Sequence, residues 1–141
     1  MSPKQQHPPK SPQAIAARAM ELLDGLPLEC DGASRALSIV LQHVGVEHEL
    51  HVGSCTVGGA GRIPLHWWVV LPDGAHCDIR ARMWLGEASG VPHGVFHPGA
   101  AQRYESRAVE VQQASPVVFW VLTFMELQAF VDSLGPEVTL S

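Results

Sequence analysis

The sequence has little cysteine, and its three thiols, Cys30, Cys55 and Cys77, fall in no CxxC spacing. An odd number of widely separated thiols does not build a disulfide framework, and it fits a reducing compartment, so a cytoplasmic location is expected. Positive charge is scarce as well: nine Lys and Arg against fourteen Asp and Glu leave a net charge of -5. Binding a phosphate backbone needs clustered Lys and Arg. The basic residues here are scattered, so nucleic acid is not an expected partner. No apolar run reaches the roughly 18 residues of a spanning helix, so no membrane segment is expected either. Internal repeats are absent. The opening "MSPKQQHPPKSPQ" lacks the apolar stretch of a secretory signal. Its prolines, without periodicity, read as a flexible leader over residues 1–11.

What is present suits one globular domain over 12–141: the chain has 141 residues, 46% of them apolar, enough for a core at this length. "PQAIAARAMELLD" places Ile15, Ala19, Leu22 and Leu23 on one helical face, and Gly25 and Pro27 end that helix. "CDGASRALSIVLQHVG" repeats the pattern with Ala33, Leu37, Val40, Leu41 and Val44. Gly45 is its C-cap, and Cys30 stands at its start. "VEHELHVGS" alternates with period two and reads as a strand over 46–54. The glycine-rich "CTVGGAGRIP" reads as a loop, and "LHWWVVL" as a second strand. "PDG" makes a turn into "AHCDI", a third strand antiparallel to the second. Residues 80–100, rich in Gly and Pro, read as a long loop. "SRAVEVQ" is a fourth strand. "PVVFWVL" reads as a buried strand, followed by a helix over 124–134 introduced by the capping-box spacing of Thr123 and Glu126. The competing reading is a helix starting at Pro116 with Ser115 as N-cap. The fold class is therefore α+β, with N-terminal helices packed on an antiparallel sheet and a C-terminal helix.

Chemistry enters with the order of three residues. Cys30 opens a helix, where unpaired amides favour a thiolate. His66 opens a strand, and an imidazole can take a thiol proton and later return it to a leaving amine. Asp78 lies across the "PDG" turn, where position 66 faces the region of 80 or 81. Asp78 is then a near cross-strand or diagonal neighbour able to hold the ring in one tautomer. Cys30 of "CDGASRALSIVLQHVGV", then "LHVGS", His66 of "HWWVVLPDG" and Asp78 of "CDI" together resemble the transglutaminase-like branch of the papain-like cysteine enzymes. The resemblance covers about residues 28–80. It implies a transglutaminase-like core and thiol-dependent acyl transfer on a peptide or protein substrate: amide hydrolysis, deamidation or transamidation. In it Cys30 is the nucleophile, His66 the proton shuttle and Asp78 the orienting carboxylate, and no cofactor is needed. The chain departs from the family pattern after the aspartate, where Arg80 replaces the common Asp-Pro/Thr continuation.

Each residue also has a plainer reading. Cys30 can be a small buried hydrophobe, His66 a strand-end residue, and Asp78 a carboxylate paired with Arg80 or Arg82. Trp67 and Trp68 point to opposite faces of a regular strand. One is then core, and the other can wall a substrate groove. His93, with His97, lies in the loop beside the cleft, as an ordinary loop residue or as a substrate contact. Eight histidines and the three cysteines raise zinc, but no tight ligand spacing supports it. "VGGAGR" lacks the lysine and the following helix of a phosphate loop. The alternative to an enzyme is a binding module with the same fold and no chemistry, acting through protein contacts.

Overall fold

The computed structural model describes residues 11–111 and 113–135. Nearly all of the expected leader, residues 1–10, and the C-terminal stretch from 136 lie outside them. The described chain is α+β, with helices packed on a five-stranded antiparallel sheet.

Helix α1 (Pro12–Asp24) starts where Ser11 accepts a bond from the Ala14 amide, with proline in the first turn. It buries Ile15, Ala16, Ala19, Met20 and Leu23. Helix α2 (Cys30–His43) is buried over more than one stripe: Ala33, Ala36, Leu37, Ile39, Val40 and Leu41 are all interior. Its end is fixed by Gly45 at φ +80. There the Gly45 amide donates to the Gln42 carbonyl and the Val46 amide to the Leu41 carbonyl, the paired bonds of a Schellman stop. A continuous core runs from these helices through Leu50, Val69, Cys77 and Ile79 of the sheet side to Phe119 and Phe130.

The sheet order is β4-β3-β2-β1-β5. Strand β1 (Glu49–Val57) pairs with β2 (Gly61–Val70) and, along its other edge, with β5 (Gln102–Glu110). Strand β3 (His76–Asp78) joins β2 through the expected Pro-Asp-Gly turn, with Gly74 at φ +88. Strand β4 (Gly94–Phe96) closes the far edge. The irregularity between Val52 and Gly53 brings β5 so close that a Cβ on Gly53 would lie 1.9 Å from the Glu105 carbonyl oxygen. Only glycine fits there.

Five sequence expectations are corrected. The stretch 55–64 is not a loop: β1 and β2 run through it and turn at 58–60. Gly59 and Gly61 supply the positive φ the tight turn requires, and Cys55, Val57 and Ile63 gain a small core of their own with Ala81 and Val91. Residues 80–100 are not structureless, because they contain helix α3 (Ala81–Leu85) and β4. The fourth strand begins at Gln102, before the expected 106. The apolar run at 116–122 is helix α4 (Pro116–Thr123), not a buried strand. Ser115 accepts from the Val118 amide and Pro116 pre-sets the first helical φ, and Val117, Trp120 and Val121 stay exposed. The last helix is correspondingly short, α5 (Leu127–Asp132). Phe124 at φ +58 separates it from α4, and Thr123 bonds back to the Phe119 carbonyl instead of opening a helix at 124.

Candidate active site

The β2–β3 register pairs Val69 with Cys77 and Val70 with His76, which carries position 66 toward position 80 and leaves Asp78 diagonal to His66. The imidazole crosses that diagonal: His66 Nε2 lies 2.6 Å from Asp78 Oδ2, and both side chains are fully buried. The carboxylate is held on every side. Oδ2 also accepts from the Tyr104 hydroxyl at 2.7 Å, and Oδ1 accepts from the amides of Arg80 at 2.9 Å and Ala81 at 3.1 Å. Asp78 thus ends β3 and caps the start of α3 in one position.

The ring is walled by aromatics. Trp68 stacks on His66 with centroids 6.1 Å apart and on His51 at 5.8 Å, while Tyr104 meets Trp68 edge-on at 5.0 Å. Burial in this wall pushes the His66 proton affinity down. The hydrogen bond with Asp78 and the nearness of the Asp78 carboxylate and the Cys30 thiol outweigh burial, and its pKa is pushed up to about 9. With Nε2 committed to Asp78, Nδ1 is the nitrogen left for the thiol, and it has no partner of regular hydrogen-bond geometry among the described residues. The thiol is nevertheless a near neighbour of the ring, since Cys30 is among the groups that raise the His66 pKa. That looseness is common in unliganded thiol–imidazole sites.

Cys30 is the first residue of α2 and is 9% exposed. The first bond into the helix runs from the Ala33 amide to the Glu29 carbonyl at 2.8 Å, so the amides of Cys30, Asp31 and Gly32 have no intrahelical acceptor. They are unpaired donors at the helix start, the kind of group that stabilises a developing oxyanion. The structure thus brings Cys30, His66 and Asp78 together. Of the other expected site residues, Trp68 is 1% exposed, an interior wall of the imidazole. Trp67 packs against the main core, with the Arg35 guanidinium 4.7 Å above its ring. His93 donates or accepts at 2.9 Å with Asp24 at the end of α1.

Two residues at the site were not singled out from sequence as parts of it. Tyr104, the chain's one tyrosine, comes from β5, 26 positions from Asp78, and no local spacing announces it. Arg80 was legible as a departure from the family pattern and as one side-chain partner for Asp78, not as the anchor of the connection before Cys30. Burial and the neighbouring Asp78 push the Tyr104 hydroxyl far up, so it stays a proton donor to the carboxylate. Tyr104→Phe is expected to lower stability by about 1.5–3 kcal/mol, the value of a hydrogen bond to a charged group. Urea unfolding at pH 7 measures it, and an unchanged midpoint would remove Tyr104 from the site.

A groove of about 910 Å³ opens at the opposite end of α2, lined by Gln42, Val46, Glu47, His48 and Pro72 among others. None of the three converging residues lines it. Among the described residues no three His, Cys, Asp or Glu side chains come together as metal ligands would, and no helix is long and apolar enough to cross a membrane. No family model, no curated protein and no solved structure matches the chain.

Proposed function

We propose that the chain is a thiol-dependent acyl-transfer enzyme. In particular, it is a small enzyme of transglutaminase-like type, working in the cytoplasm on a peptide or protein amide. The observation that supports this most is the buried His66–Asp78 bond, which commits one ring nitrogen and leaves the other for the thiol at the α2 start. The Cys30 proton passes to His66, and the thiolate Sγ then attacks the amide carbonyl carbon. The carbonyl oxygen becomes an oxyanion against the amides of Cys30, Asp31 and Gly32. Collapse breaks the C–N bond, and His66 gives its proton to the leaving amine. The thioester at Cys30 is then attacked by water or an amine, whose proton His66 takes. Asp78 keeps the ring in the tautomer this sequence needs.

The test is an activated p-nitrophenyl ester. Expected is a burst of nitrophenolate with one acyl group added to the protein at Cys30, read by intact mass and peptide mapping. His66→Ala is expected to slow the acylation by about 10²–10⁴-fold, the range of general acid–base catalysis. Acylation unaffected by Cys30→Ala would sink the reading.

A second reading keeps the fold without the chemistry. It draws support from the burial of His66 and from the position of the large groove, away from Cys30. A protein partner would then be held there, and the wild type would give no acyl adduct.

A further inference from the structure

Arg80 is 7% exposed, and its guanidinium has no free donor. Nε donates to the Leu28 carbonyl. Nη1 donates to Asp24 Oδ1 at 2.6 Å and to the Ile79 carbonyl at 2.9 Å. Nη2 donates to the carbonyls of Asp24 and Leu26, each at 3.0 Å. Five donors meet five acceptors, the whole capacity of the group. The acceptors are not scattered. Asp24 is the last residue of α1, and Leu26 and Leu28 lie in the connection that delivers Cys30 to α2. Within the connection the Leu26 amide bonds back to the Leu23 carbonyl and the Leu28 amide to the Leu26 carbonyl, and the guanidinium adds a second donor to Leu26 and caps the carbonyl of Leu28. A cation also suits the negative end of α1. The main chain of the same residue faces the other way, with its amide donating to Asp78 Oδ1 at 2.9 Å.

We infer that Arg80 is a positioning residue that sets the gap between thiol and imidazole: its side chain fixes the peptide preceding Cys30 while its amide fixes the carboxylate that orients His66. One residue thereby references both halves of the site to the end of β3. Lysine cannot substitute, because a single ammonium carries three donors at one point and cannot span carbonyls at 24, 26 and 28. His93 Nε2 at 2.9 Å from Asp24 Oδ2 braces the same corner. The inference rests on the acyl-transfer reading for its catalytic meaning but not for the clamp itself.

The experiment compares wild type with Arg80→Lys in two readouts. Amide hydrogen exchange over residues 26–34 reports the clamp. The rate of Cys30 carboxymethylation by iodoacetamide from pH 5 to 9 reports the thiol–imidazole gap. Expected for Arg80→Lys is faster exchange confined to 26–34. The reaction rate below pH 7 should fall by about 10-fold to 10²-fold, the effect of misplacing reacting groups by an ångström or so, with the rate at pH 9 little changed. A general loss of structure would accelerate exchange everywhere and raise labelling of all three cysteines instead. If Arg80→Lys does not fold, Asp24→Asn, which loosens one acceptor at a half-exposed carboxylate, is expected to shift both readouts the same way by less. Unchanged exchange and an unchanged pH profile in a folded variant overturn the inference. A wild-type profile without a reactive limb below pH 7 sinks the acyl-transfer reading, and the exchange comparison still decides the clamp.

Discussion

Replacing Asp78 with alanine is expected to cost about 3–5 kcal/mol, the penalty for breaking a buried ion pair from one side. Four donors lose their acceptor at once: the His66 ring, the Tyr104 hydroxyl and the amides of Arg80 and Ala81. The imidazole and the two amides are buried and cannot turn to water. Asparagine separates the roles. Its carbonyl oxygen can still accept the two amides, so the part of the loss that belongs to them returns while the ion-pair part does not. Its NH₂ would face Nε2, forcing that nitrogen to accept and moving the neutral ring's proton to Nδ1, away from the arrangement that takes a thiol proton. The pH dependence gives a second check. The His66 pKa in the folded chain is about 9 against 6.5 for a free histidine. A raised pKa stabilises fully below 6.5, and that stabilisation is lost as pH rises through 9. It amounts to something on the order of 3 kcal/mol. Wild-type stability should therefore fall between those values, and Asp78→Asn should flatten the curve. Urea midpoints at pH 6, 7.5 and 9 measure both effects. A wild-type midpoint independent of pH across that window would show that the ring is not held as a cation.

At neutral pH, iodoacetamide is expected to modify Cys30 and leave Cys55 and Cys77 intact. Cys55 is 0% and Cys77 1% exposed. Burial and, for Cys55, the nearby Asp78 push its thiol up to about 11. Burial, Asp73 and Asp78 push Cys77 up to about 12. The thiolate is the reactive form, so against a free thiol titrating near ~8.5 both should react at least about 10²-fold more slowly. Cys30 stands instead at a helix start with open amides and an imidazole beside it. Peptide mapping after partial alkylation gives the three rates. Equal rates for the three would remove the distinction on which the nucleophile assignment rests.

The sequence determined what depends on neighbours along the chain. Period 3.6 in 12–24 and 30–43, the Pro-Asp-Gly turn and the glycine stop at 45 are local choices between backbone conformations. The hairpin was local enough to bring Asp78 within cross-strand or diagonal reach of His66, and the β2–β3 pairing made it the diagonal. The run at 116–122 defeated periodicity because seven apolar residues in a row carry no phase. The competing local signals, Ser115 and Pro116, were the ones that governed. The glycine-rich 55–64 misled for the opposite reason: its strands are stabilised by pairing across the sheet, and the contacts that decide it lie at Ala81 and Val91. Tertiary structure alone decided which side chains finish the site. Tyr104 reaches Asp78 from β5, and Arg80 gathers carbonyls from 24 to 28. A guanidinium or a hydroxyl finds its acceptors by distance in space, and spacing along the chain carries no record of that.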